Sequence, residues 1–130
     1  MTDDKKLWEI LVPTVSNEGK PFRLRYHRVW DAHVRKISGG MTILPVAKGQ
    51  WLDGDKVYAE RMIPVRILAT RDQMEQIVEY TMRYYHQLAV LAYKISDEVI
   101  LKRCELKSPK REPKTGKSAP LNHSDPSKMN

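Results

Sequence analysis

The chain has 130 residues, a formal net charge of +7 and a hydrophobic content of 41%. A chain of this length can bury one modest core, so we expect a single folded domain. Its apolar stretches are all shorter than the roughly 18 residues that span a bilayer, so no contact with a membrane is predicted.

The compartment is inferred from the N-terminus and from cysteine usage. Residues 1–6 do not resemble a secretory signal. Cys104 is the single cysteine, so an internal disulfide is excluded. No residue that could act as a base lies beside Cys104 in the sequence, so we do not expect it to be a nucleophile. We therefore expect a cytoplasmic protein.

The positive charge is concentrated near the C-terminus. Residues 102–130 contain eight lysines and arginines against three acidic residues, whereas residues 1–101 contain fifteen against thirteen. Beyond Leu106, prolines alternate with Lys, Ser and Gly, and few large apolar residues remain to offset the entropy of ordering. We predict a folded domain over residues 1–106 and a disordered basic tail over residues 107–130.

The first half of the domain reads as strand, helix and hairpin. Residues 7–12 are rich in β-formers, and apolar residues within 27–37 share one helical face before Gly39 ends the helix. Strands are predicted over residues 41–52 and 57–68, joined by an Asp-Gly-Asp turn. Each of these strands contains a proline, Pro45 and Pro64, so each is expected to carry a bulge or an unpaired stretch.

The second half gives the clearest helix. Apolar residues follow the helical period from Met74 to Tyr85, and Thr70 followed by Gln73 has the form of a capping box. A last main strand is predicted over residues 88–95, with a short edge piece at 99–101.

This order of elements defines the expected fold class. We predict an α+β, ferredoxin-like βαββαβ sandwich with a four-stranded, mainly antiparallel sheet and two helices on one face. The other sheet face then meets either solvent or a partner, which makes a homo-oligomer a reasonable expectation.

Residues 20–28 form a basic segment without an acid at the start of the first helix. Free backbone N–H groups at a helix start, together with Arg23, Arg25 and Arg28, suit a phosphate or carboxylate. The alternative is a solvated loop in which Phe22 and Tyr26 cover the edge of the core.

The hairpin provides a second candidate site. Gly49 permits close approach of a ligand, Trp51 offers a stacking surface, and Glu60 on the facing strand can act as a base or contact a cation. The predicted ligand-binding set is completed by Lys48, Gln50 and Arg61. The alternative is that Trp51 packs against a neighbour while Glu60 and Arg61 form an ordinary surface pair.

Other residue types give weaker signals. The four histidines (His27, His33, His86 and His123) have no metal-ligand spacing, so neither a metal nor a cofactor is predicted. The four tyrosines at positions 80, 84, 85 and 93 are interpreted as core and interface residues. The stacking signature of RNA-binding ferredoxin-like domains is absent from the third strand.

The motif Gly49-Gln50-Trp51 closing the second strand, with Glu60 opening the third, resembles the small trimeric ferredoxin-like proteins of the PII-like kind. Over residues 7–101 the sequence also looks distantly like the phage S-adenosylmethionine lyases. The resemblance implies a ligand cleft between subunits. It also implies that Glu60, with Trp51 or Tyr58, corresponds to the catalytic Glu and aromatic residue of those lyases.

Three functional hypotheses follow. The first is a homo-oligomeric protein that senses or sequesters a small anionic or nucleotide-like ligand in an inter-subunit cleft. The second is a lyase-like enzyme that acts on S-adenosylmethionine in the same cleft through Glu60 and Tyr58. The third is a nonspecific nucleic-acid binder that uses the basic loop and tail. The sequence leaves open the choice between binding and catalysis, the ligand and the number of copies.

Overall fold

The computed structural model of the protein describes residues 4–104. The elements in chain order are β1 (Lys6–Pro13), α1 (Leu24–Ser38), β2 (Thr42–Ile43), β3 (Ala47–Asp53), β4 (Lys56–Ala69), α2 (Arg71–Tyr84) and β5 (Ala92–Ser96). Both helices pack on one face of an antiparallel sheet, which confirms the predicted α+β, ferredoxin-like class. None of the helices described in this range is long and apolar enough to cross a membrane.

The sheet has the order β2-β4-β1-β5, and β3 pairs with the first half of β4. The predicted second strand is therefore two strands, since β2 pairs with residues 65–66 of β4 and β3 pairs with residues 56–62. Pro45 lies in the interruption between them, so the irregularity expected at this proline is confirmed.

Pro64 behaves differently from Pro45. It lies within the unbroken ladder between β1 and β4, directly opposite Leu11, so the bulge predicted as one option at this position is absent from that ladder. Its carbonyl accepts a hydrogen bond of 2.9 Å from the N–H of Leu44. Because the N and O of a strand residue point to the same side, the missing N–H of Pro64 faces the interruption between β2 and β3.

The core lies between the helices and the sheet face that they cover. Alternate residues of the central strands point into it, and each helix contributes one apolar stripe. The largest buried side chains are Ile10, Val12, Trp30, Val34, Val65, Ile67, Ile77 and Tyr85. The opposite face, called the open face below, has no helix or strand of residues 4–104 packed against it.

The helix ends follow the sequence signals. The Thr70 hydroxyl accepts from the Gln73 N–H at 3.1 Å, and the Gln73 side chain accepts from the Thr70 N–H at 2.9 Å, which confirms the capping box. Gly39 ends α1 with φ +96°, a left-handed conformation that favours glycine. Helix α1 begins at Leu24, three residues before the prediction, so part of the expected basic loop is helical.

The end of the domain departs most from the prediction. Residues 88–91 precede β5 and are not strand, because the chain first turns at His86, which has φ +56°. The short edge strand predicted at residues 99–101 is not formed. The chain divides into two units, residues 1–99 and 100–130, and of the second unit residues 100–104 are described, without helix or strand. The predicted tail, residues 107–130, and His123 within it lie outside the described residues.

One buried polar contact joins the helices. The Trp30 indole N–H donates to the Thr81 hydroxyl at 2.9 Å, and this hydroxyl donates to the Ile77 carbonyl at 2.6 Å. Trp30 and Thr81 are both almost completely buried, so the indole N–H depends on this one acceptor.

We expect Thr81→Val to lower the free energy of unfolding by about 1–3 kcal/mol, because it keeps the side-chain volume but removes the acceptor of a buried donor. Urea denaturation measures this loss. The same substitution in a Trp30→Phe background serves as the control, since phenylalanine has no N–H to leave unpaired. Equal losses in both backgrounds would contradict the assignment.

Candidate functional site

The hairpin of β3 and β4 extends past the rest of the sheet. Strand β1 pairs with β4 only from Met62 to Ala69, so residues 56–61 pair with β3 alone. We call residues 48–61 the arm. Neither face of a two-stranded ribbon is covered by the sheet itself, so the side chains of the arm are available to bind.

The pairing register decides which side chains of the arm share a face. Residues directly opposite lie on the same face, and neighbours along a strand alternate. Gly49 pairs with Glu60, and Trp51 pairs with Tyr58, so Trp51, Tyr58 and Glu60 lie together on the open-face side.

The other predicted arm residues lie on the opposite side. Lys48 pairs with Arg61, and Gln50 pairs with Ala59, on the face that continues the helix-covered side of the sheet. The structure therefore does not bring Lys48, Gln50 and Arg61 together with Trp51 and Glu60 on one face of the arm.

A cavity of about 280 Å³ lies where the arm meets the open face. Glu60 lines it, and its walls are mainly apolar. The main lining residues are Leu11, Pro13, Glu60, Met62, Gln87 and Leu91. Gly49 lies opposite Glu60, and a β-carbon there would contact Met62 at 3.7 Å without a clash, so this glycine is not required by space.

Two aromatic rings lie on the same face of the arm as Glu60, nearer the tip of the arm, and neither is among the residues that line the cavity. Trp51 and Tyr58 stack with ring centroids 5.5 Å apart and an angle of 19° between planes. The Lys56 ammonium lies 5.6 Å from the Tyr58 ring. Trp51 is 48% exposed and Tyr58 38% exposed, so their outer surfaces remain open to a flat ligand.

The arginines at the start of α1 lie on the helix side. Arg23 precedes the helix, its side chain makes no capping hydrogen bond, and the first turn of α1 contains no acidic residue. Arg25 and Arg28 follow in the helix and are exposed. They lie on the helix-covered side of the sheet, whereas Glu60 lines a cavity on the open face.

A buried carboxylate on the open face was missed by the sequence analysis. Glu9 is 8% exposed and lies in a cross-strand row between Arg66 of β4 and Tyr93 of β5. It accepts from Arg66 Nε at 2.9 Å through one oxygen and from the Tyr93 hydroxyl through the other. The Tyr93 hydrogen bond, opposed by burial and aided by Arg66, lowers the pKa of Glu9.

Three of the four tyrosines predicted as core or interface residues lie in or against the core, where the helices meet: Tyr80, Tyr84 and Tyr85. Tyr84 donates to the Tyr26 carbonyl at 2.8 Å, and Tyr26 donates to the Tyr84 carbonyl. The Tyr85 hydroxyl lies 2.6 Å from His27 Nδ1, and burial lowers the pKa of His27 and raises that of Tyr85. The His33 ring stacks on the Tyr80 ring with centroids 3.7 Å apart. Tyr93 is separate from this cluster.

Comparison with known proteins shows a likeness of fold. No protein-family model matches the sequence, and no curated protein sequence matches it significantly. CutA from Xylella fastidiosa is similar with a TM-score of 0.58 and 14% identity, over 76% of this chain and 88% of that one. The periplasmic divalent cation tolerance protein CutA from Archaeoglobus fulgidus is similar with a TM-score of 0.57 and 12% identity, over 75% of this chain and 88% of that one.

A phage S-adenosylmethionine lyase in complex with S-methyl-5'-thioadenosine gives a TM-score of 0.56 and 9% identity, over 75% of this chain and 84% of that one. At these identities the likeness establishes the ferredoxin-like fold alone. Within residues 4–104, no three His, Cys, Asp or Glu side chains lie close enough together to hold a metal ion.

Tyr93→Phe is expected to lower the free energy of unfolding near pH 7 by about 1.5–3 kcal/mol, because the Glu9 carboxylate loses a hydrogen bond made to a charged group. The folded pKa of Glu9 is lowered, so this stabilisation is complete above the unfolded value of about 4.3 and is lost as the pH falls through the folded value. Urea denaturation should therefore give a smaller difference in the free energy of unfolding between variant and wild type at pH 3 than at pH 7.

The matched control is Tyr58→Phe, whose lost hydroxyl makes no hydrogen bond to any residue in the 4–104 range. It should change the free energy of unfolding by less than about 0.5 kcal/mol at either pH. A gap for Tyr93→Phe that stays constant from pH 7 to pH 3 would show that Glu9 is not the group involved.

Proposed function

We propose that this protein is a self-associating binding protein whose cavity, on the open face, takes a small nucleoside-like ligand. The flat ring of the ligand stacks on Trp51 and Tyr58, and a donor or a positive group of the ligand contacts Glu60. Sensing and sequestration are both served by such a site.

The observation that carries this proposal is the shared face of Trp51, Tyr58 and Glu60 next to a largely apolar cavity. Ligand sites typically combine apolar walls with a few polar groups that fix orientation. Here the aromatic pair offers a flat surface, and Glu60 is the one charged residue among the described residues that line the cavity.

The distribution of charge narrows the class of ligand. Glu60 favours a neutral or positively charged group at the cavity, such as a purine amino group or a sulfonium. The cations of the predicted ligand-binding set lie on the helix side of the arm and of the sheet: Arg23, Arg25, Arg28, Lys48 and Arg61. A phosphate held by those cations would not reach the cavity face of the same subunit, so we favour a nucleoside over a nucleotide.

Self-association is supported by exposed apolar side chains. Leu91 lines the cavity and is 60% exposed, and on the other face of the arm Leu52 and Val57 are 66% and 61% exposed. A two-stranded ribbon is marginally stable in water unless something covers it. A second copy packed on the open face would cover Leu91 and close the cavity, whereas Leu52 and Val57 would stay on the other side of the arm. A trimer is the arrangement implied by the resemblance to PII-like proteins.

The ligand proposal predicts a thermal shift. Adenosine, S-methyl-5'-thioadenosine and S-adenosylmethionine should each raise the melting temperature, because a ligand at 100-fold its dissociation constant adds about 2.7 kcal/mol. Trp51→Ala should abolish the shift. Glu60→Gln should weaken the binding of S-adenosylmethionine by about tenfold or more, because it removes one charged contact. The binding of the neutral S-methyl-5'-thioadenosine should be less affected.

Leu52→Ala is the matched control for Trp51→Ala. Leu52 is the next residue of the arm, is exposed and lies on the opposite face. The control should keep the full shift. If Trp51→Ala also keeps it, or if both variants lose it equally, the cavity assignment fails.

Self-association predicts the effect of a charge on the open face. Leu91→Glu should move the protein toward monomer in sedimentation and in native mass spectra, because it buries a carboxylate in the contact between copies. Val29→Glu, at an exposed position of α1, should leave the subunit count unchanged. Wild-type protein that is monomeric at micromolar concentration would remove this part of the proposal.

A second candidate function is catalysis in the same cavity. Tyr58 and Glu60 are separated by one residue on β4 and share a face, which supports a lyase-like reaction on S-adenosylmethionine with these two residues as the catalytic groups. The test is incubation with S-adenosylmethionine followed by chromatography. Release of S-methyl-5'-thioadenosine that is lost in Glu60→Gln supports the enzyme, and no turnover at high protein concentration dismisses it.

A further inference from the structure

We propose that the helix side of the arm is a second binding surface, which takes the phosphate backbone of a nucleic acid without reading its sequence. This cationic surface consists of Lys20, Arg23, Arg25, Lys48 and Arg61. Its two arm residues, Lys48 and Arg61, lie on the opposite face of the arm from Trp51 and Glu60, so the two surfaces can be occupied independently.

Two hydrogen bonds join the arm to the start of α1. The Thr14 hydroxyl donates to the Arg61 carbonyl at 2.9 Å, and the Thr14 carbonyl accepts from the Phe22 N–H at 3.0 Å. Phe22 immediately precedes Arg23. These contacts hold the arm at Arg61 next to the segment that leads into α1.

The five cations make no ion pair with any residue of the 4–104 range. All of them are exposed, and none takes part in a salt bridge within residues 4–104, whereas Lys6, Arg66, Arg71 and Lys94 do. Lys48 and Arg61 are directly opposite each other across the two strands. Like charges in such a cross-strand pair destabilise the sheet unless an anion lies between them.

The acidic side chains of the folded elements lie mostly on other surfaces. Glu9 and Glu60 are on the open face, and three acids of α2 line a groove on the outer side of the helices: Asp72, Glu75 and Glu79. Within the paired residues of the arm, the helix side carries no acidic side chain that would repel a negatively charged partner.

A nucleic-acid backbone fits this surface better than a small anion. The cations come from three separate segments of the chain, which suits a partner that carries a charge at each short step along its length. The helix side of the arm presents Gln50, Leu52, Val57 and Ala59 between the cations and the tip, with no aromatic ring on which a base could stack. Binding there would be independent of base sequence.

The test uses the full chain, so that the basic tail contributes equally to every variant. Binding of a fluorescent single-stranded oligonucleotide is followed by anisotropy as salt is raised. Lys48→Gln with Arg61→Gln should weaken binding and lower the slope of log K against log salt by about 1.4, the value for two lost phosphate contacts on a single strand. Arg23→Gln with Arg25→Gln should give a similar loss without touching the arm.

The matched control is Lys5→Gln with Lys36→Gln, which changes the charge equally. Lys5 lies beside the far end of β1 from Thr14, and Lys36 lies near the far end of α1 from Arg23. The control should keep the wild-type slope. Trp51→Ala should also keep it, so failure here is distinguishable from failure of the cavity proposal.

Three results would overturn the inference. The first is an unchanged slope in both surface variants, and the second is an equal loss in the control. The third is a slope loss with inorganic polyphosphate but none with any oligonucleotide, which would assign the surface to another polyanion.

Discussion

The geometry of the candidate site depends on the two-residue alternation along one long strand. β4 runs for 14 residues, and its second half is held in register by eight residues of β1. Because that ladder has no register shift, the face of the sheet on which each side chain of β4 lies is fixed from Ala69 to Lys56. A slip of one residue would move Glu60 to the helix side and Arg61 to the cavity.

This alternation gives the arm two chemically different faces. One carries an aromatic pair and a carboxylate beside an apolar cavity, and the other carries Lys48 and Arg61. Within one subunit, the register places these two sets of residues on opposite faces of the arm. Two sites are compatible with it, and each needs its own ligand chemistry, because the carboxylate repels what the cations attract.

The sequence predicted local features well because their causes are local. The capping box at Thr70, the left-handed Gly39 and the helical stripe from Met74 each depend on residues a few positions apart. The class of fold followed from the order of such elements. The start of α1 was placed too late because Arg23 offers no capping signal. Strand β5 was predicted to begin four residues too early, since apolar residues 88–91 gave no indication of the turn at His86.

The composition of the site could not be predicted from the sequence, because it depends on pairing between distant residues. The relation of Trp51 to Tyr58 follows from a tight hairpin and is nearly local. By contrast, the cavity beside Glu60 needs Leu11 and Leu91, which approach only after β1 and β5 pair. Glu9 gives the same lesson, since its partners are 57 and 84 residues away.

Glu9 also explains how the open face can exist before any partner covers it. A carboxylate in the middle of a sheet is costly when unpaired, and here both oxygens are satisfied within the subunit. The row of Tyr93, Glu9 and Arg66 ties the edge strand β5 to both central strands at one level. The open face of a single copy therefore carries a preorganised polar strip with apolar side chains on either side.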